Sequence, residues 1–252
     1  MPNLAIAIIP CLKDNYAYLI QNGDLTAVID PAEAEPVAAV LRSRGAKLTH
    51  ILNTHHHWDH SGGNRELKAA TGAEVVGPEQ DRRRIPAIDT GVDQEHGWQL
   101  GDLKVQVLEV PAHTRGAVAY VIGGAVFTGD TMFVMGCGRL FEGSAEMMMA
   151  SLAKIAALPD DTALYCGHEY TLANARFAVS LEPGNTALQA RLKAVAALRA
   201  EGKFTVPSTI GLEKATNPFL RTHSPEIRAN IGLAKADDIA VFAEIRRRKD
   251  NF

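Results

Sequence analysis

The chain has 252 residues, 46% of them hydrophobic, which suits one large domain with an appendage, since domains hold roughly 100–200 residues. Its 26 Lys and Arg stand against 29 Asp and Glu, and a net charge of -3 excludes a generalised basic footprint for coating nucleic acid or a membrane surface. The longest uncharged apolar run, Ala117 to Phe127, has 11 residues where a spanning helix needs ~20, so no segment is expected to cross a bilayer.

Leu4 to Pro10 reads as a strand, and the stretch from Met1 to Asn15 lacks the basic segment of a signal peptide. Three cysteines, Cys11, Cys137 and Cys166, form no even-numbered disulfide framework, so a cytoplasmic protein is expected. Tyr16 to Gln21 and Leu25 to Ile29 read as a hairpin around Asn22-Gly23. Asp30-Pro31 reads as the cap and first residue of a helix that Gly45 closes. A strand follows at Leu48 to Asn53, then a loop through Gly63 and a short helix ending at Thr71 and Gly72. Further strands are expected at Glu74 to Val76, Leu103 to Val107, Ala117 to Ile122, Ala125 to Thr128 and Ala163 to Cys166, with a helix from Glu146 to Leu158. Beyond Glu169 the texture changes: Leu172 to Ser180, Thr186 to Glu201, Pro225 to Ile231 and Asp238 to Lys249 read as helices with no strand between them. This order predicts two sheets sandwiched between helices, with a helical appendage.

Chemistry concentrates in the block His55-His56-His57-Trp58-Asp59-His60, where four side chains within six residues suit a metal. His55 and His57, two apart in an extended loop, point the same way, and Asp59 and His60 follow closely enough to serve a second ion. The bland alternative is a His-rich surface turn, but three later strands also end in potential ligands: His113, Asp130 and His168. Five His and two Asp exceed what one catalytic zinc uses, usually three protein ligands, so two ions are the natural count. Imidazole with carboxylate favours zinc, iron or manganese over calcium. His50, His96 and His223 read as structural, His56 as a residue pointing away from the ions, and Cys166 as a core residue.

The run Thr54-His55-His56-His57-Trp58-Asp59-His60 resembles the T-H-x-H-x-D-H signature of the metallo-β-lactamase superfamily. Four further stretches are similar to the glyoxalase II, or hydroxyacylglutathione hydrolase, family: Phe127 to Thr131, Cys137 to Gly143, Gly167 to Tyr170, and Arg246 to Phe252. The resemblance covers essentially the whole chain. It implies an αββα sandwich over residues 1–170 that carries the metals, followed by a helical substrate-binding domain over 171–252. It also implies that His55, His57 and His113 hold one ion, that Asp59, His60 and His168 hold the other, and that Asp130 bridges them, with zinc the first choice. In that family a metal-bridging hydroxide attacks the thioester of an S-(2-hydroxyacyl)glutathione such as S-D-lactoylglutathione, releasing glutathione and a 2-hydroxy acid. Asp59 and Asp130 would then be the catalytic carboxylates, and Arg139, Phe141, Tyr170, Arg246 and Lys249 would hold the substrate. Some members have Lys and Tyr where this chain has Arg139 and Phe141, so the charge is kept and a phenolic hydrogen bond is lost.

The chemistry is coherent without the resemblance. A bound divalent ion lowers the pKa of water from ~15.7 to about 7, and the ions stabilise the oxyanion that grows on an attacked carbonyl. A thiolate, ionising near pKa ~8.5, leaves without a dedicated acid. The rivals are a superfamily hydrolase of a lactone, a β-lactam or a phosphodiester, and a non-catalytic metal protein. Against a phosphodiester, the balanced charge gives little support for the basic surface that a nuclease would add; against a non-catalytic protein, structural zinc cages are usually built with Cys. A small-molecule thioester is the expected partner, with no nucleic acid and no membrane. A site contained in one chain gives no reason to demand a dimer, so a monomer is expected.

Overall fold

The computed structural model describes residues 4–252, so Met1 to Asn3 of the amino-terminal stretch lie outside the described residues. The chain opens with β1 (Ala5–Cys11), β2 (Asn15–Asn22) and β3 (Leu25–Ile29), an antiparallel meander. Asn22 pairs with Leu25, so the hairpin turn is Gly23-Asp24, one residue later than expected, with Gly23 at φ 57°. The chain then runs through α1 (Ala34–Arg44), β4 (His50–Leu52), the single turn α2 (Trp58–Ser61), α3 (Asn64–Thr71), β5 (Glu74–Pro78) and β6 (Thr90–Val92). These six strands form one sheet in sequence order.

The second sheet begins with β7 (Trp98–Leu100), β8 (Leu103–Glu109), β9 (Val118–Ile122) and β10 (Ala125–Gly129). A small hairpin of β11 (Met132–Phe133) and β12 (Gly136–Cys137) and the helix α4 (Ala145–Ala156) precede β13 (Ala163–Cys166), which lies parallel to β10. The chain finishes with α5 (Thr171–Leu181), α6 (Thr186–Ala200), β14 (Ser208–Thr209), α7 (Ile210–Thr216), α8 (Pro225–Ile231) and α9 (Asp238–Asp250).

β2 shows why the layers stack. Tyr18 and Ile20 face the second sheet and share one core with Tyr120 and Phe127, while Ala17 and Leu19 face Val37 and Leu41 of α1. A strand buried on both faces must be apolar throughout, which is how this segment reads. Met148, Leu152 and Ile155 of α4 close the other side, giving the expected αββα sandwich.

Three departures from expectation follow. The carboxy-terminal third does contain a strand: β14 pairs antiparallel with β13, Leu164 opposite Ser208, and so forms one edge of the second sheet. The helix α7 was also not expected. Asp30 is not a helix cap either: α1 starts at Ala34 after Glu33, and Asp30 is buried with a left-handed backbone at φ 52°.

Candidate metal centre and substrate cleft

The block leaves the carboxyl end of β4 through Asn53 and Thr54, both buried, and turns into α2 instead of remaining a loop. His60 N–H donates to the His57 carbonyl at 3.0 Å, and this turn aims His60 inward while Trp58 stays 69% exposed. His113 follows β8, Asp130 follows β10 and His168 follows β13. All seven predicted ligands therefore meet at one end of the sandwich.

They form two groups. His55 Nε2, His57 Nδ1 and His113 Nε2 converge, with His57 Nδ1 lying 3.2 Å from His55 and 3.1 Å from His113. Asp59, His60 and His168 form the second, with Asp59 Oδ2 at 3.7 Å from His60 Nε2 and 3.5 Å from His168 Nε2. Asp130 stands between them, Oδ1 at 3.3 Å from His60 Nε2 and Oδ2 at 3.5 Å from His113 and 3.3 Å from His168. His60 Nε2 and Asp130 Oδ1 are buried and make no hydrogen bond. Buried polar atoms without partners are costly, and two of them facing each other across converging donors fit a pair of divalent cations. Gly167 keeps the space open, because a Cβ there would press on Asp130 Oδ1 and sit 2.6 Å from His60 Cε1.

The outer nitrogens of four of the five histidines are fixed as metal-ligating imidazoles require. His113 Nδ1 lies 3.0 Å from the Arg139 carbonyl, and His168 Nδ1 lies 2.8 Å from Asp14. His60 Nδ1 donates to Asp30 Oδ2 at 3.1 Å, and Thr54 Oγ1 donates to the same oxygen at 2.6 Å while facing His55 Nδ1 at 3.0 Å. One buried carboxylate thus orients a ligand in each group. Asn15 adds a bond from Nδ2 to Asp59 Oδ2 at 3.1 Å.

Electrostatics separate the two groups. Burial, with like-charged neighbours, pushes His55 well below the ordinary histidine range, and burial pulls His57 down to about 4, so these remain neutral. Burial also opposes charge on His168, but the Asp130 and Asp59 carboxylates outweigh it and raise His168 to about 10. Asp130 is held well below the carboxylate range, against burial, by His60 and His168. The carboxylate-rich group is the one that calls for positive charge.

Beside the ligands lies a cleft of about 540 Å³, and Arg139, Phe141, Tyr170, Arg246 and Lys249 all line it. The Tyr170 ring stacks on His168, centroids 4.7 Å apart and 6° from parallel. Phe141 is 61% exposed, its ring 5.2 Å from that of His113 and 5.9 Å from that of His57. Two residues of the basic ending, Arg246 and Lys249, dock on the wall of this cleft, while Arg247 stays exposed. Arg246 is buried, donates to the Cys137 carbonyl at 2.7 Å and to Asp250 at 2.8 Å, and lies over the Phe219 ring at 5.2 Å. Lys249 sits between the Phe177 and Phe252 rings, 5.3 Å from each centroid. Cys137 is buried in this wall, its thiol pushed up to about 12 by burial.

Sequence reasoning missed Asp14, Asn15, Asp30 and Asp81. The rule that selects His113, Asp130 and His168, a ligand-type residue just after a strand, also selects Asp30 after Leu25 to Ile29. Asp81, fully buried, bonds His56 Nδ1 at 3.0 Å and explains why that histidine points away from the ions.

Known proteins match this picture. A family model of the metallo-beta-lactamase superfamily matches residues 13–168, and one described as the hydroxyacylglutathione hydrolase C-terminus matches residues 169–252. The hydroxyacylglutathione hydrolase of Methylococcus capsulatus is 56% identical over 99% of both chains, and that of Maricaulis maris 51% identical over 100% of both. The crystal structure of ETHE1 from Myxococcus xanthus, 25% identical, superposes with a TM-score of 0.67 over 97% of this chain and 98% of that one. Identity above one half along the full length, joined to a complete two-group ligand set at the strand ends, places the chain in the hydroxyacylglutathione hydrolase family of the metallo-β-lactamase superfamily.

Proposed function

We propose that the protein hydrolyses S-(2-hydroxyacyl)glutathione thioesters, S-D-lactoylglutathione among them, to glutathione and a 2-hydroxy acid. The observation that carries this is the cleft itself, where the two ligand groups face a wall bearing Arg139, Tyr170 and Lys249. Glutathione carries two carboxylates and one ammonium, and fixed cations grip carboxylates through charge-assisted hydrogen bonds. His55, His57 and His113 would hold one divalent ion and Asp59, His60 and His168 the other, with Asp130 between them; zinc heads the candidates, followed by iron and manganese. When bound, such ions supply a nucleophilic oxygen at neutral pH and polarise the thioester carbonyl.

The protein's own groups do the rest. Asn15 Nδ2 donates to Asp59 Oδ2, which leaves Oδ1 to accept a proton from water. Tyr170 and Phe141 flank the ligands and orient the acyl and cysteinyl portions, while Lys249 and Arg139 bind the tripeptide. The departing thiolate needs no acid. In this reading residues 1–170 carry the metals and 171–252 supply the substrate-binding side of a monomer working in the cytoplasm. No helix among the described residues is long and apolar enough to cross a membrane.

The test is a panel of S-D-lactoylglutathione, a β-lactam, a lactone and a phosphodiester, followed by thiol release or product detection. Thioester turnover should dominate, disappear with a strong chelator and return with added zinc. Faster turnover of the phosphodiester would replace this reading.

A further inference from the structure

The segment after β12 carries two groups placed on the substrate side, Arg139 and Phe141, yet it has no regular structure of its own to hold them. Its anchor is Glu142. Both Glu142 oxygens meet the Arg84 guanidinium, Oε1 at 2.5 Å and Oε2 at 3.0 Å, and Oε2 also accepts the Arg115 N–H at 2.7 Å. Arg84 Nε in turn reaches Asp81 Oδ1 at 3.0 Å, and Asp81 Oδ2 holds His56 at 3.0 Å, in the middle of the metal block. The backbone follows the same course. Glu142 N–H donates to the Ala112 carbonyl at 3.3 Å, and a Cβ on Gly143 would stand 2.5 Å from Ala112 Cα, so only glycine lets the loop seat there. The circuit closes where Phe141 lies against His57 and His113.

An isolated exposed ion pair contributes little, but a bidentate Arg–carboxylate pair within a network ending on a buried carboxylate is the exception. The Arg84 guanidinium beside Glu142 accordingly holds its carboxyl down at about 2.

We propose that Glu142 and Arg84 form a latch that fixes the loop from Arg139 to Gly143 to the metal block, and that this latch sets substrate affinity by holding Phe141 in place. Both are positioning residues and touch no reacting atom. The proposal rests on the reading above that Phe141 contacts substrate, and it assigns a task to His56, which binds no ion: it is the block's end of the latch.

The experiment is a double-mutant cycle on the metal-loaded enzyme with S-D-lactoylglutathione, comparing Phe141→Ala, Glu142→Gln and the combined variant, with metal counted by elemental analysis. Phe141→Ala should raise KM about fivefold, the scale of one partly exposed aromatic contact. Glu142→Gln should raise KM about threefold with kcat within a factor of two and two ions retained, and the combined variant should be no worse than Phe141→Ala, because the latch acts through that ring. If the two KM effects multiply, the latch does not act through Phe141 and the proposal is overturned. If Glu142→Gln instead loses metal and kcat at unchanged KM, the network supports His113 and the proposal is likewise overturned. If Phe141→Ala leaves KM at the wild-type value, the substrate reading of Phe141 fails first and the latch falls with it, a result distinct from the other two.

Discussion

Asp30→Asn is the sharpest probe of how the metal centre is built. The carboxylate is buried and accepts three bonds: Thr54 N–H at 2.7 Å, Thr54 O–H at 2.6 Å and His60 Nδ1 at 3.1 Å. An amide offers one acceptor oxygen and turns two hydrogens toward groups that are themselves donors. If His60 gives up its Nδ1 proton to accommodate it, the proton moves to Nε2, the atom that faces Asp130. Hydrogen bonds to a charged group contribute about 1.5–3 kcal/mol each, and losing most of three with one buried repulsion should cost the metal-free protein about 3–5 kcal/mol in a urea titration. Outer partners of metal-bound histidines typically govern 10–100-fold in affinity, so competition with a chromophoric chelator should show about that loss in the group containing His60. The group containing His55, which Asp30 reaches only through Thr54, should weaken less, and Thr54→Val should reproduce that smaller effect alone. Wild-type affinity for both ions in Asp30→Asn, or a loss confined to the His55 group, would refute the reasoning.

The basic ending separates into two roles. Lys249→Ala should raise KM for S-D-lactoylglutathione about tenfold or less at nearly constant kcat, with added salt narrowing the gap to wild type. Arg246→Ala should instead lower thermal stability, since it removes the bond that secures the Cys137 carbonyl, and equal Tm values for the two variants would contradict this division. All three thiols are buried and pushed up, Cys11 to about 11 and Cys137 and Cys166 to about 12, so a thiol reagent at pH 8 should label none in the native protein and three after unfolding.

What could be read in advance follows from how far apart the interacting groups lie. The metal block is dense enough to be seen locally, and β8, β10 and β13 are long enough for their patterns to point at His113, Asp130 and His168. Asp30 is hidden by ambiguity, because Asp-Pro after a strand looks the same whether the carboxylate caps a helix or turns under a metal block. Asp14, and the bond that ties Arg246 to the wall where the sequence points to substrate, are hidden by distance: the partners His168 and Cys137 lie 154 and 109 residues away. A basic helix end looks solvated until the wall it docks on is known, and β14, two residues long, carries no period to detect.

That two-residue strand bears on any attempt to shorten the protein. Cutting after residue 170 would strip β13 of its outer neighbour β14 and leave an open row of backbone donors and acceptors, a template for self-association. The same cut removes Glu213, whose carboxylate accepts the buried Met135 N–H at 2.7 Å between β11 and β12, and Arg246, which secures the Cys137 carbonyl. The hydrophobic core runs without a break from Tyr18 and Phe127 through Ile210 to Phe242 and Ile245. The sandwich and the helices beyond it should therefore melt in one cooperative transition, and a truncated sandwich should aggregate instead of surviving as a minimal enzyme.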